Sequence, residues 1–124
     1  MKVYTSYFAA SRNFNKNAVV LGITRFPPNG WNGLNIDKWA PSEKLLRQYR
    51  NKEIDNFIFS MEYMQELRDR GFTQKKVKEI LETIGGDRDI ILCCYEKPGD
   101  FCHRHVFANW MADVMKIEEY GDGE

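Results

Sequence analysis

The sequence predicts an α/β fold: a small, mostly parallel sheet flanked by helices, a Rossmann-like sandwich in a single domain. Three observations carry this. Two short runs, Ala18 to Ile23 and Asp89 to Cys94, are almost continuously apolar, as strands covered on both faces are. Between them lie segments with apolar residues at three-and-four spacing, the stripe of amphipathic helices. A chain of 124 residues is long enough for one core without staples, so residues 1–124 read as one unit.

Lys2 to Ser6 is β-branched and aromatic and opens a strand; Tyr7 to Asn17 is polar with scattered aromatics and reads as a loop. The buried-type strand Ala18 to Ile23 ends at Pro27 and Pro28, which stiffen its exit. A long loop then runs to about Pro41 through Trp31 and Trp39. Those tryptophans either stack on a flat ligand or pin the loop to the core. Ser42 is a suitable N-cap for a helix with Leu45, Leu46 and Tyr49 on one face. A second helix is expected from about Ile54 to Arg70, with Phe57, Ile58, Met61, Met64 and Leu67 as its apolar stripe. Thr73 caps a third, with Val77, Ile80, Leu81 and Ile84 inward and Lys75, Lys76 and Lys78 outward; Gly85 and Gly86 end it. The central strand, Asp89 to Cys94, leads through a Pro98-Gly99 turn into a helix carrying Val106, Phe107, Trp110, Met111 and Val114. Residues 115–118 fit either the end of that helix or a short edge strand, and the acidic tail 118–124 is expected to fray.

Composition narrows the function. Eighteen basic residues balance eighteen acidic ones, so no global field draws the chain to nucleic acid or membrane. No apolar run approaches membrane-spanning length and no secretory leader precedes the three cysteines, which suggests a cytoplasmic protein with reduced thiols. The glycine and histidine signatures of P-loop NTPases, zincins and Rossmann dehydrogenases are absent. The tyrosine-phosphatase loop is absent too, since Cys102 and Arg104 lie too close for that cradle.

The chemistry concentrates in one stretch. All three cysteines and both histidines fall between Ile90 and His105. A strand, a tight loop and a helix start is where α/β proteins usually hold ligands. Cys94 and Cys102 are candidate nucleophiles, with His103 as base and Glu96 as orienting carboxylate. Cys102, at a helix start beside His103 and Arg104, has the setting of a partly ionised thiol. Arg104, with Arg25 from the neighbouring strand end, suits a phosphate or carboxylate; Arg104 also suits a structural pair with Glu96 or Asp100. Trp31 would stack on or cover the ligand. Cys93 reads as a small core residue. Cys94, Cys102, His103 and His105 are zinc-type ligands, but no CxxC pair is present, so no metal or cofactor is expected and zinc stays a lesser alternative. A Cys94–Cys102 disulfide is expected only under oxidising conditions.

The order Cys94, Glu96, Cys102, His103, Arg104 beside a buried strand resembles the signature of the "domain of unknown function 488" family. Val3 to Ser6 is similar to that family's opening strand, and Gly22 to Pro28 to its second strand, which usually ends in an arginine and a proline. Where more typical members carry an aspartate on that strand, this chain has Gly22, which would favour binding over turnover if the aspartate matters. The resemblance implies an α/β fold in a cytoplasmic, mostly bacterial or phage setting, without an agreed reaction. The expected function is a site for a nucleotide-like or phosphorylated small molecule, possessing the groups for hydrolysis or group transfer. The alternatives are a non-catalytic ligand-binding or sequestering protein, and a Cys/His metal or redox site. Nucleic acid is the least favoured partner, and no membrane partner is expected.

Overall fold

The computed structural model describes residues 1–95 and 101–121. In chain order these form β1 (Val3–Tyr7), a 3-10 helix (Phe8–Asn13), β2 (Val19–Gly22), β3 (Leu34–Asn35) and a second 3-10 turn (Asp37–Trp39). There follow α1 (Glu43–Arg50), α2 (Asn56–Asp69), α3 (Gln74–Gly85), β4 (Ile90–Cys94), α4 (His103–Met111) and β5 (Ile117–Glu119). The five strands make one sheet in the order β3-β2-β4-β1-β5, with every pairing parallel. The fold is α/β, as expected. β4 lies at the centre, and all five of its residues are buried.

The two faces of the sheet are covered unequally. Val3, Leu21, Ile23, Ile90 and Leu92 face a large core supplied by all four α-helices. The opposite face, with Ile91 and Cys93, is covered by the first 3-10 helix and its loop through Phe8, Ala10 and Phe14, with Trp31 and Tyr120 at the margin. The sandwich is thus thick on one side and thin on the other. Continuous apolar strands need cover on both faces, and here aromatic side chains supply on the thin side what a helix would otherwise supply.

The expected helix starts are observed. Ser42 Oγ accepts from Leu45 N at 3.1 Å, and Thr73 Oγ1 from Lys76 N at 3.1 Å. Asp55 caps α2 in the same way, accepting from Ile58 N at 2.9 Å. Gly86 closes α3 at φ +59°, where a side chain would be strained.

Three expectations are corrected. The buried stripe of α2 is Phe59, Tyr63 and Leu67, whereas Phe57, Ile58 and Met61 are exposed. Apolar residues nearly encircle this helix, so two stripes compete, and tertiary partners choose between them. Phe59 meets Tyr49 and Phe101, and the Tyr63 hydroxyl donates to the carbonyl of Trp39. The stretch after α4 is an edge strand, β5, paired with β1. The tail is therefore not frayed from Glu118: Tyr120 N donates to Thr5 O at 2.8 Å, and the Tyr120 ring packs edge-on against Tyr4 and Phe14. Residues 122–124 lie outside the described residues. Finally, the stretch expected as one long loop to about Pro41 contains β3 and a 3-10 turn. Among the described residues, no helix is long and apolar enough to cross a membrane.

Candidate functional site

The site forms where β4 ends and α4 begins. β4 runs parallel between β1 and β2, so its last residue, Cys94, emerges at the carboxyl edge of the sheet. Cys102 is the N-cap residue of α4, and His103 and Arg104 occupy its first turn. Chain geometry thus returns Cys102 to Cys94, and the two are joined as a disulfide. This is the pairing that the sequence reading expected under oxidising conditions. Their separation of eight in the sequence spans the return from strand to helix.

Arg104 is fully buried. Its Nη1 donates to Cys94 Sγ at 3.1 Å and its Nη2 to Glu119 Oε1 at 3.1 Å. The other carboxylate oxygen of Glu119 accepts from Thr5 Oγ1 at 2.7 Å and lies 3.5 Å from His105 Nε2. A guanidinium carries a permanent charge, so one seated against a sulfur stabilises that sulfur as thiolate once it is reduced.

His103 joins the two strand ends. Its Nε2 lies 2.6 Å from the carbonyl of Ile23, just past β2, and its ring packs edge-on against Tyr63. A carbonyl only accepts, so Nε2 carries the proton and Nδ1 is left as an acceptor, 3.9 Å from Cys102 Sγ. Burial pushes the His103 pKa down to about 4, against the raising effect of the Ile23 carbonyl and with Arg104 and His105 adding to the depression. The imidazole is therefore neutral at physiological pH.

Cys93 faces the thin side, and burial pushes its thiol up to about 12. It is an inert core thiol, as its apolar setting suggests. Cys94, Cys102 and His103 offer donor atoms within 4.8 Å of one another, with His103 Nδ1 as the acceptor nitrogen on the sulfur side and the two sulfurs bonded to each other.

The second wall of the candidate site is β2 and the segment after it. The ends of β2 and β4 do lie side by side, with Ile23 N donating to Cys93 O at 3.0 Å. Arg25, however, is exposed, its guanidinium 5.7 Å from the ring of Phe26. Trp31 rests edge-on against Phe8, which in turn meets Tyr95. Of the two loop tryptophans, Trp39 is the one pinned in the core, against Phe107. Glu96 and Asp100 fall outside the described residues, so their expected roles rest on the sequence alone. At Gly22, a Cβ would lie 2.3 Å from Asn35 Oδ1. The Asn35 amide fills that space, receiving Thr24 N at 3.3 Å and donating to Thr24 O at 2.8 Å.

Sequence reasoning missed Thr5, Glu119 and Tyr63. Glu119 sits in an acidic tail that resembles a solvated end, and its pairing with Thr5 depends on β5 docking beside β1. Tyr63 was obscured by the competing stripe of α2.

These features define an α/β protein with a cysteine–arginine site at the carboxyl edge of a parallel sheet. The chain belongs to the DUF488-N3a family, described as the active DUF488-N3 subclade, whose model matches residues 4–114. Neither the curated proteins nor the solved structures include a significant match.

Proposed function

We propose that this protein is a small-molecule enzyme whose nucleophile is the Cys94 sulfur, acting in hydrolysis or group transfer on a nucleotide-like or otherwise phosphorylated substrate. The observation that carries the reading is the contact between Cys94 Sγ and the fully buried Arg104 at the end of the central strand. Two-electron reduction by a dithiol opens the Cys94–Cys102 bond. The Cys94 thiolate then attacks the transferable group; a sulfur–group bond forms while the leaving group departs with its electron pair and takes up a proton. Water or a second acceptor receives the group and returns the thiolate. Arg104 stabilises the thiolate and favours an anionic substrate. His103 is a neutral acceptor facing Cys102, and the helix start of α4 adds its positive dipole end. Glu96 is assigned to orient the nucleophile, Arg25 to attract the anion, and Trp31 to cover the ligand. The word "active" in the subclade's description favours turnover over binding alone.

The test is alkylation of the reduced chain with iodoacetamide, followed residue by residue by mass spectrometry. Cys94 is expected to react about tenfold faster than in Arg104→Ala, an effect of one unit in thiol acidity. Equal rates would sink the nucleophile assignment. Native mass spectrometry against a panel of phosphorylated metabolites then reads the substrate class, with Arg104→Ala as the control that should not bind.

The disulfide itself favours a second reading, a dithiol redox protein. Cys102→Ser separates the two: group transfer by Cys94 survives it, and dithiol oxidoreduction does not. Tight binding of a ligand recovered unchanged would instead support a sequestering role.

A further inference from the structure

We propose that Glu119, steadied by Thr5, is a positioning residue that fixes the Arg104 guanidinium on the Cys94 sulfur. The segment after the family match thereby completes the site. This inference rests on Cys94 being the nucleophile.

A guanidinium is planar, so holding one terminal nitrogen sets the direction of the other. Glu119 Oε1 receives Nη2 at 3.1 Å, and Nη1 points at Cys94 Sγ, also at 3.1 Å. Glu119 is itself held. Its Oε2 takes the Thr5 hydroxyl at 2.7 Å, and Thr5 is its register partner across the β1–β5 pairing, so the two side chains share a face. Tyr120 N, one residue on, bonds to Thr5 O at 2.8 Å and locks the end of β5. Glu119 and Tyr120 both lie beyond residue 114, where the family match stops.

Two effects of Glu119 oppose each other, which makes the inference testable. Its hydrogen bond holds the guanidinium in place, while its negative charge offsets part of the positive charge that favours a thiolate. The neighbouring Cys93 shows these signs: Arg104 lowers its thiol pKa and Glu119 raises it, although burial dominates both. Positioning and pure electrostatics therefore predict opposite outcomes when the side chain is deleted.

The experiment is the alkylation rate of Cys94 as a function of pH, on the dithiothreitol-reduced full chain. Glu119→Ala is expected to slow Cys94 by about tenfold at neutral pH, whereas Glu119→Gln, which keeps an acceptor for Nη2 and removes the opposing charge, should react at least as fast as wild type. Thr5→Val should slow it by a smaller factor in the same direction. If Glu119→Ala reacts as fast as wild type, or faster, the positioning role is overturned. Should Glu119→Ala lose its fold by circular dichroism, Thr5→Val decides, and an unchanged rate there overturns the inference. Failure of the underlying reading has a different signature: wild-type Cys94 itself would react no faster than a cysteine in an unstructured peptide.

Discussion

The two walls of the candidate site begin alike, each at the carboxyl end of a buried parallel strand, yet they hold their side chains differently. On the β4–α4 wall, Cys94, Cys102, His103 and Arg104 are all buried and each touches another member or a strand end. On the β2 wall, Arg25 and Phe26 stand in solvent, and Trp31 lies on Phe8 at the margin. The difference lies in the segment that each strand leads into. β4 returns through a helix whose first turn packs back on the sheet, so its side chains inherit the rigidity of α4. β2 opens into a segment of twenty residues (23–42) that is held by the β3 pairing, by Asn35 on Thr24 and, at its far end, by Trp39 in the core. A rigid wall can perform chemistry, whereas an open one can admit and cover a ligand.

The largest expected effect comes from removing that anchor. Trp39 is fully buried against Phe107 and Phe72. Trp39→Ala should cost about 3–5 kcal/mol in urea unfolding, and a loss comparable to that of a surface substitution would mean the loop wall is held elsewhere.

His103 ties the walls together, and its titration should be visible. Folding lowers its pKa to about 4, against about 6.5 in the unfolded chain. Above about 6.5 both states are neutral and the full stability is present. Below it the unfolded chain takes a proton that the folded chain refuses. Stability should therefore fall between about pH 6.5 and pH 4, by about 3 kcal/mol in all, and level off below. Denaturation curves across that range, with His103→Gln as the comparison, check this; an equal acid loss in the variant would assign the effect to other groups.

A smaller effect is expected at the rigid wall from Arg104→Lys. Lysine keeps the charge but not the planar fork, so the Cys94 alkylation rate should fall by less than in Arg104→Ala, roughly threefold, or about 0.7 kcal/mol. An unchanged rate would mean that charge alone matters there. The smallest effect is on the open wall. Arg25→Ala should change stability by less than about 0.5 kcal/mol and leave Cys94 reactivity untouched. Its effect should appear only in the affinity for an anionic ligand, measured by native mass spectrometry; a drop in Cys94 reactivity would show that the two walls are coupled.

The sequence by itself determined the α/β class, the central strand, the helix caps at Ser42 and Thr73, and the stretch that carries the chemistry. These are local properties: a continuous apolar run, a capping hydroxyl before a periodic segment, and titratable groups crowded at a strand-to-helix junction all act over a few residues. Tertiary structure alone decided the rest. It chose Phe59 and Tyr63 over Phe57 and Met61 as the inner face of α2, because a core already holding Tyr49, Phe101 and the Trp39 carbonyl could accept only one stripe. It left Arg25 outside and brought Glu119 in, because β5 docks beside β1 and sets a carboxylate from the tail opposite Thr5. That pairing joins residues 114 apart in the chain. No pattern within a window of a few residues encodes it, since only sheet register and burial bring the two together.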